Sequence, residues 1–534
     1  MKTIFKPLGL AAAVAAVSAG YAGVANAQAA RAVGDLGDLA IVPYYTVQDN
    51  WVTGVHIINS SDRTQVVKLR LRRASDSADA LDFNLIMSPF DEWTGFIDDS
   101  SGDIVFATDD NTCTAPIRAD GRFAMPSIFR EGADEGYIEV IAMGSTYDED
   151  QPIAVAAKHD ADGVPFDCGA VASNFFANGS SSSKGIVDND ESTQAVADAE
   201  EYGGFSWCDD DEGATVCYND YADPDNVLKV SYFFRDATAG TEIGNNAVHI
   251  ADFSDDAWMT NQETGLFSGD IQGFDYPDMN GGPATGSFPT PGYGLRGKYN
   301  ELRDGAVLGV SGVLNDWSIA TARNVSTDWV VTMPGQYTMI DYYVWAAGAG
   351  LDFDNCASID DPTIGGDQSI AACDFRDIPV VADLTLYDRE EGEIVPEDGD
   401  LVISPAPPGT TNTLLFPYEV NVVEWTDGST APVLSSEYAT SVDASVLGEF
   451  GWASLAVSST SAHNQWVCEF MPSPGDTAWA NAPSLDPRPI QAPVCESATG
   501  NVPMVGFVAW QRSFPTNPDA NYGRLVEHSF TSAN

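Results

Sequence analysis

Short runs in which apolar and polar residues alternate recur along this chain, and a period of two admits a strand but not a helix. The clearest runs from Gln65 to Arg73. Val67, Leu69 and Leu71 share one face of it, and Lys68, Arg70 and Arg72 share the other. Successive strand side chains point to opposite faces, so this segment reads as a strand with one core face and one wet, charged face. Gly136 to Met143 repeats the pattern around Tyr137, Ile138, Glu139, Val140 and Ile141. Further strand-like runs are Ala40 to Val47, Trp51 to Asn59, Val227 to Phe234, Ala306 to Leu314, Trp329 to Met333, Tyr337 to Trp345 and Val505 to Trp510. Turn residues break the runs at short intervals, and 48 Gly with 30 Pro supply the breaks. Only Gln194 to Tyr202 has helical character. The expected fold class is all-β, arranged as two or three β-sandwich-like domains.

A chain of 534 residues is long enough to divide in this way. The first domain is expected over residues 28–226 and the rest over 227–534. Two stretches depart from the strand pattern. Residues 171–226 carry the serine run Ser180 to Ser183 and many acids, and residues 352–399 are acidic and rich in turns. Both hold cysteines, so they read as disulfide-stapled insertions rather than free linkers. A further loop from Gly265 to Gly297 is rich in Gly, Pro and aromatics.

The chain opens with an export signal. Lys2 and Lys6 provide a positive start, an uncharged apolar run follows from Leu8 to Gly20, and Ala25-Asn26-Ala27 offers small residues for cleavage. Residues 1–27 are therefore read as a signal peptide, which places the mature protein in the periplasm, on the cell surface or outside the cell. The eight cysteines fit that compartment, because an even count in an exported chain reads as disulfides. Pairing of sequence neighbours is expected: Cys113 with Cys168, Cys208 with Cys217, Cys356 with Cys373, and Cys468 with Cys495. Zinc is the rival reading, but no C-x-x-C or Cys/His spacing supports it.

Charge narrows the partners. Asp and Glu number 79 against 24 Lys and Arg, for a net charge of −55. Such a surface repels nucleic acid and anionic lipid. No membrane insertion is expected either: no later run approaches a spanning helix, and 30 Pro with loops of mixed length disfavour an outer-membrane barrel. The one dense basic cluster is Arg63, Lys68, Arg70, Arg72 and Arg73. The favoured reading makes it an internal counterion for a neighbouring acidic loop; the alternative is a docking face for another acidic subunit. Calcium is the candidate ion. Its expected ligands are Asp209, Asp210, Asp211 and Glu212, with Asp220, Asp223 and Asp225 a few residues on. Calcium needs six to eight converging oxygens, although this spacing is not that of an EF-hand.

Four segments carry a resemblance. They are Ala80-Leu81-Asp82-Phe83-Asn84 running to Ser88-Pro89 and Trp93-Thr94-Gly95; Glu135-Gly136-Tyr137-Ile138-Glu139-Val140-Ile141; Thr327-Asp328-Trp329-Val330-Val331-Thr332; and Ala520-Asn521-Tyr522-Gly523 with His528. Together they resemble a family of uncharacterised exported proteins of Gram-negative bacteria. The resemblance implies a secreted, β-rich surface protein, and it brings no functional residues with it.

Catalytic motifs do not survive their context. Gly292, Gly294 and Gly297 form a G-x-G-x-x-G, but Phe288-Pro289-Thr290-Pro291 precedes them where a phosphate loop needs a strand. Ser181 to Lys184 matches S-x-x-K only within a serine run. His56, His159, His249, His463 and His528 are scattered, so a Ser-His-Asp triad has no sequence support. His56 reads as packed within a strand. Of the 12 Trp, Trp93, Trp329 and Trp345 read as core, while Trp207 and Trp258 are the candidates for exposure. The expected function is that of a non-enzymatic surface or matrix protein acting in adhesion or ligand binding. Surface polysaccharide or other surface proteins are its expected partners. The second hypothesis is a secreted hydrolase that cleaves polysaccharide with a carboxylate pair. N-terminal sequencing of the exported protein is expected to begin at Gln28; material that starts at Met1 would contradict the leader.

Overall fold

The computed structural model describes most of residues 29–173, 221–260, 302–335, 380–389, 413–457 and 501–531. It also describes Met279 and short strands at 186–188, 208–209, 216–217, 393–394, 402–404, 466–469 and 494–497. The fold is all-β, with several sheets in sandwich-like arrangement. Four large sheets carry it. The first orders its strands Ala30–Arg31, Val248–Ala251, Leu39–Thr46, Glu135–Thr146, Gln65–Arg73, Asp79–Met87 and Cys113–Ala115, with Tyr221–Ala222 added beside Glu135–Thr146. The second runs Thr241–Asn246, Leu228–Asp236, Trp51–Asn59, Glu92–Asp98, Val105–Ala107 and Arg122–Ala124.

The apolar faces of these two sheets meet in one core. Val67, Leu69 and Leu71 lie there as their alternation requires, together with Phe83, Trp93, Phe106 and Phe123. Phe83 stacks on Phe123 with ring centres 4.2 Å apart. Strands from residues 228–251 complete both sheets, so the boundary expected at Asn226 falls inside this first unit. The strand Leu228–Asp236 pairs with Trp51–Asn59 along its whole length.

The expected wet face of Gln65–Arg73 is corrected by the structure. Lys68, Arg70 and Arg72 are all buried. Their register explains how that is tolerated. Arg70 lies opposite Asp82 on one neighbouring strand and Glu139 on the other, and Arg72 lies opposite Asp79. Arg70 contacts Asp79 at 2.7 Å, Arg72 contacts Glu139 at 3.3 Å, and Lys68 contacts Asp82 at 3.5 Å. The cations are thus internal counterions, but for acids on strands rather than on a loop. Alternation identifies a polar face; it does not say whether water or other charges cover that face.

Beyond the cations, the same outer face carries an apolar patch. Val66, Ile86 and Met143 pack there against the short helices Pro152–Ala157 and Cys168–Ser173. The bridge Cys113–Cys168 ties the edge strand to the second helix, as expected. Cys208 faces Cys217, and Cys468 faces Cys495, directly across two small antiparallel ladders. Cys356 and Cys373 lie outside the described residues, as do residues 1–27, Gln194 to Tyr202, Tyr337 to Trp345 and Ser181 to Lys184.

The second unit pairs two further sheets. The third orders Glu393–Ile394, Val380–Asp388, Phe450–Val457, Gly312–Ser318 and Ser529–Thr531, with Thr413–Phe416 beside Val380–Asp388. The fourth orders Val402–Ser404, Ala439–Asp443, Val420–Thr426, Val325–Thr332, Val505–Arg512 and Tyr522–Glu527. Both faces of the fourth sheet are buried along its central strands. Trp329, Val331, Val423, Trp425 and Val508 face the third sheet. Val330, Val422, Phe507 and Ala509 join the core of the first unit. Phe507 lies 5.9 Å from Phe234 and 6.5 Å from Tyr44, ring to ring. Double burial explains why Trp329 to Met333 and Val505 to Trp510 are largely apolar without alternation.

Polar contacts pin the same junction. Buried Glu135 accepts hydrogen bonds from the Tyr44 and Ser436 hydroxyls at 2.5 Å and from the Glu437 N–H at 2.8 Å. The Thr332 hydroxyl donates to the Pro43 carbonyl at 2.6 Å.

Removing Arg70 leaves Lys68 and Arg72 to face Asp79, Asp82 and Glu139, so one buried negative charge loses its compensation. Arg70→Met is therefore expected to lower the urea-unfolding free energy of this unit by about 3–5 kcal/mol. Arg63→Met breaks a partly exposed pair with Asp225 and is expected to cost about 1 kcal/mol or less. Equal, small effects for the two variants would refute the structural role of the buried pairs.

Candidate functional site

Of the expected calcium ligands, only Asp209, Asp223 and Asp225 lie among the described residues. Asp225 is taken by its ion pair with Arg63, and Asp223 is exposed. Asp209 lies in the hairpin strand Cys208–Asp209, while Asp210, Asp211, Glu212 and Asp220 lie outside the described residues. Among the described residues, no three acidic, His or Cys side chains converge as a metal site. Trp207 and Trp345 also lie outside the described residues; Trp258 begins a short strand. Trp93 and Trp329 are core, as expected. The Gly265 to Gly297 loop, with its glycine motif, is outside the described residues too.

One Ser, one His and one Asp do come together. The Ser88 hydroxyl lies 3.1 Å from Nδ1 of His159, and Oδ2 of Asp91 lies 3.9 Å from that same nitrogen. A catalytic triad needs the Ser on one ring nitrogen and the Asp on the other. Asp91 is instead a loop organiser: it accepts the Ser88 N–H and the Thr112 hydroxyl, both at 3.2 Å. Burial pushes its pKa up against the opposing pull of His159. His56 is half-buried, packs edge-on against Phe233 and lies 3.5 Å from Glu92.

A concavity among the described residues lies where the outer face of the third sheet meets the edge of the fourth. It is an open groove of about 700 Å³. Its first wall comes from a row across three strands. Tyr387, Trp452 and Asp316 are opposite one another in register. Ala453 and Leu455 point into the core, so Trp452 on the alternate register points out. It remains 38% exposed, with the Tyr387 ring stacked against it at 3.7 Å. The second wall is Trp510, Tyr522 and Arg524 on the last two strands of the fourth sheet. Trp510 and Tyr522 lie 5.6 Å apart, and Arg524 sits over the Trp510 ring at 5.5 Å. Arg524 also reaches Asp316 at 2.9 Å, which joins the two walls.

Phe450 closes one end. The guanidinium groups of Arg323 and Arg389 lie over its ring at 5.4 Å and 5.6 Å. Gly451 forms part of the floor, where a Cβ would come within 2.8 Å of the Trp317 ring and 2.3 Å of the Tyr387 carbonyl. A side chain there would break the sheet pairing that sets the groove. Flat aromatic faces with planar hydrogen-bonding groups at their edges suit a ligand that has both apolar faces and a polar rim.

Comparison with protein-family models, with curated proteins and with solved structures gives no match.

A second carboxylate feature, unseen in the sequence, sits inside the second unit. Asp328 is fully buried and lies opposite Glu424 in register. Its Oδ2 accepts the N–H groups of Val433 and Leu434 at 2.8 Å and 2.7 Å, so it holds a loop rather than facing a ligand. Burial pushes its pKa to about 8, reinforced by the Glu424 charge. His528 is also buried; its Nε2–H donates to the Val330 carbonyl at 2.9 Å. Burial lowers its pKa to about 4.

These two groups act in different pH windows. From the unfolded value of about 3.9 up to about 8, folded Asp328 keeps a proton that the unfolded chain has released, so stability falls as pH rises. Below about 6.5 the unfolded His528 takes up a proton that the folded ring refuses, so stability falls as pH drops. Above pH 6.5 only the Asp328 effect remains of the two. Asp328→Asn keeps an acceptor for both N–H groups. Between about pH 6.5 and 8, its denaturation free energy is expected to exceed that of the native chain by a margin growing about 1 kcal/mol per pH unit. A constant margin would show that Asp328 does not titrate there.

Proposed function

We propose that this chain is an exported, non-enzymatic surface or matrix protein that binds polysaccharide along the groove between the third and fourth sheets. The aromatic platform of exposed Trp452 and Tyr522 with half-buried Trp510 carries this reading. Sugar rings present apolar C–H faces that lie flat on aromatic rings, and their hydroxyls point outward to polar groups at the rim. Asp316, Asp388 and the three arginines supply that rim. A groove of about 700 Å³ has room for several sugar units. The large, rigid β scaffold fits a binding role, because no moving part is needed to present such a platform.

The hydrolase alternative would use Asp316 and Asp388, the two carboxylates of the groove. Asp316 is already engaged in an ion pair with Arg524 at 2.9 Å. The export signal and the resemblance to exported β-rich proteins support a location where polysaccharide is met.

Affinity electrophoresis against neutral and acidic soluble polysaccharides is expected to retard the native chain. Trp452→Ala is expected to weaken the retarding interaction about tenfold while leaving the melting temperature nearly unchanged. Absence of retardation on every polysaccharide would overturn the reading. Release of reducing ends, abolished by Asp388→Asn, would replace it with the hydrolase.

A further inference from the structure

Resting on that reading, we infer that the groove selects anionic sugar residues, carboxylated or sulfated, and that Arg323 and Arg389 are the groups that recognise them. The chain holds 79 acidic residues against 24 basic ones, so an arginine here has an excess of carboxylates from which to draw a partner. The groove nevertheless gathers three arginines against two aspartates. Arg524 is matched to Asp316. Arg323 and Arg389 differ: among the described residues, neither has a carboxylate within ion-pairing distance, and each lies over the Phe450 ring. Arg323 is in the last turn of the short 3-10 helix Thr321–Arg323, and Arg389 follows the strand Val380–Asp388. Two separate elements therefore deliver guanidinium groups to one aromatic ring.

A cation–π contact with a ring attracts the guanidinium without using its N–H donors, which stay available to a ligand. That edge matches the paired oxygens of a carboxylate or sulfate, which it binds more strongly than a neutral hydroxyl. The nearby aromatic platform would then hold the sugar ring while the arginines read its charge. The acidic remainder of the chain does not prevent this. At physiological salt, charges more than about 8 Å away are largely screened, whereas contacts within a groove persist. The repulsion instead limits polyanion binding to places where cations outnumber acids, which makes the groove selective.

The test compares charged and uncharged forms of the same backbones by titration calorimetry of the full chain at ~0.15 M salt. Polygalacturonate is set against fully methyl-esterified pectin, and dextran sulfate against dextran. The native chain is expected to bind at least one charged form about tenfold more tightly than its uncharged counterpart. The charged form that wins tells carboxylate from sulfate. The double variant Arg323→Gln and Arg389→Gln is expected to remove this preference, lowering the affinity for the charged form about tenfold, to that for its uncharged counterpart. Both arginines are exposed, and melting curves check that the variant folds. Equal affinity for charged and uncharged forms, or a preference that survives the double variant, would overturn the inference. If the uncharged forms still bind and Trp452→Ala weakens them, the sugar-binding reading stands while the charge selectivity falls. If none of the four polymers binds, both fall.

Discussion

Burying a charge costs several kcal/mol unless an opposite charge meets it, and the first unit is built around that condition. Lys68, Arg70 and Arg72 sit on one face of a central strand with no access to water. Asp79, Asp82 and Glu139 meet them from the two flanking strands. A slip of one residue in either pairing would turn the cations into the apolar core and strand the acids without partners. The charges thus specify register on one face, while Val67, Leu69 and Leu71 specify it on the other. This is a use of ionic groups for specificity, since buried pairs contribute little net stability over apolar side chains.

The register of the first sheet carries through to the second unit. Tyr44 and Glu135 lie on neighbouring strands of that sheet, and together they grip Ser436 and Glu437. Phe507 then enters the aromatic cluster of Tyr44, Tyr232 and Phe234. The fourth sheet is held from both sides and serves as a wall shared by two cores. With its central strands fixed in this way, its outer strands present Trp510, Tyr522 and Arg524 beside the third sheet. The groove is a consequence of where the shared wall ends.

Much of the strand framework was legible because burial on one face imprints a period of two. Trp51–Asn59 and Gln65–Arg73 have the limits their patterns imply, and Glu135–Thr146 extends its run by one residue at the start and three at the end. The groove was less legible. Trp452 carried a signal, since Ala453 and Leu455 mark the inward register of its strand and place Trp452 outward. Arg323, Arg389 and Arg524 carried none, because exposed arginines are common and these are separated by up to about two hundred residues. The dense basic strand is far more conspicuous in the sequence, yet its charges are consumed internally.

What the sequence alone determined is local. Alternation set the strands, turn residues set their ends, and Cys113 found its neighbour Cys168 across a closed loop. Each of these depends on residues close along the chain or on a pattern repeated within one element. What only the tertiary structure decided is what each face meets. The charged face of Gln65–Arg73 is buried against acids, the fourth sheet is covered twice, and four distant segments converge on one aromatic groove. The physical reason is that period-two alternation records the difference between two faces of a strand, whereas solvent, counterion or second sheet is chosen by the packing of elements far apart in sequence.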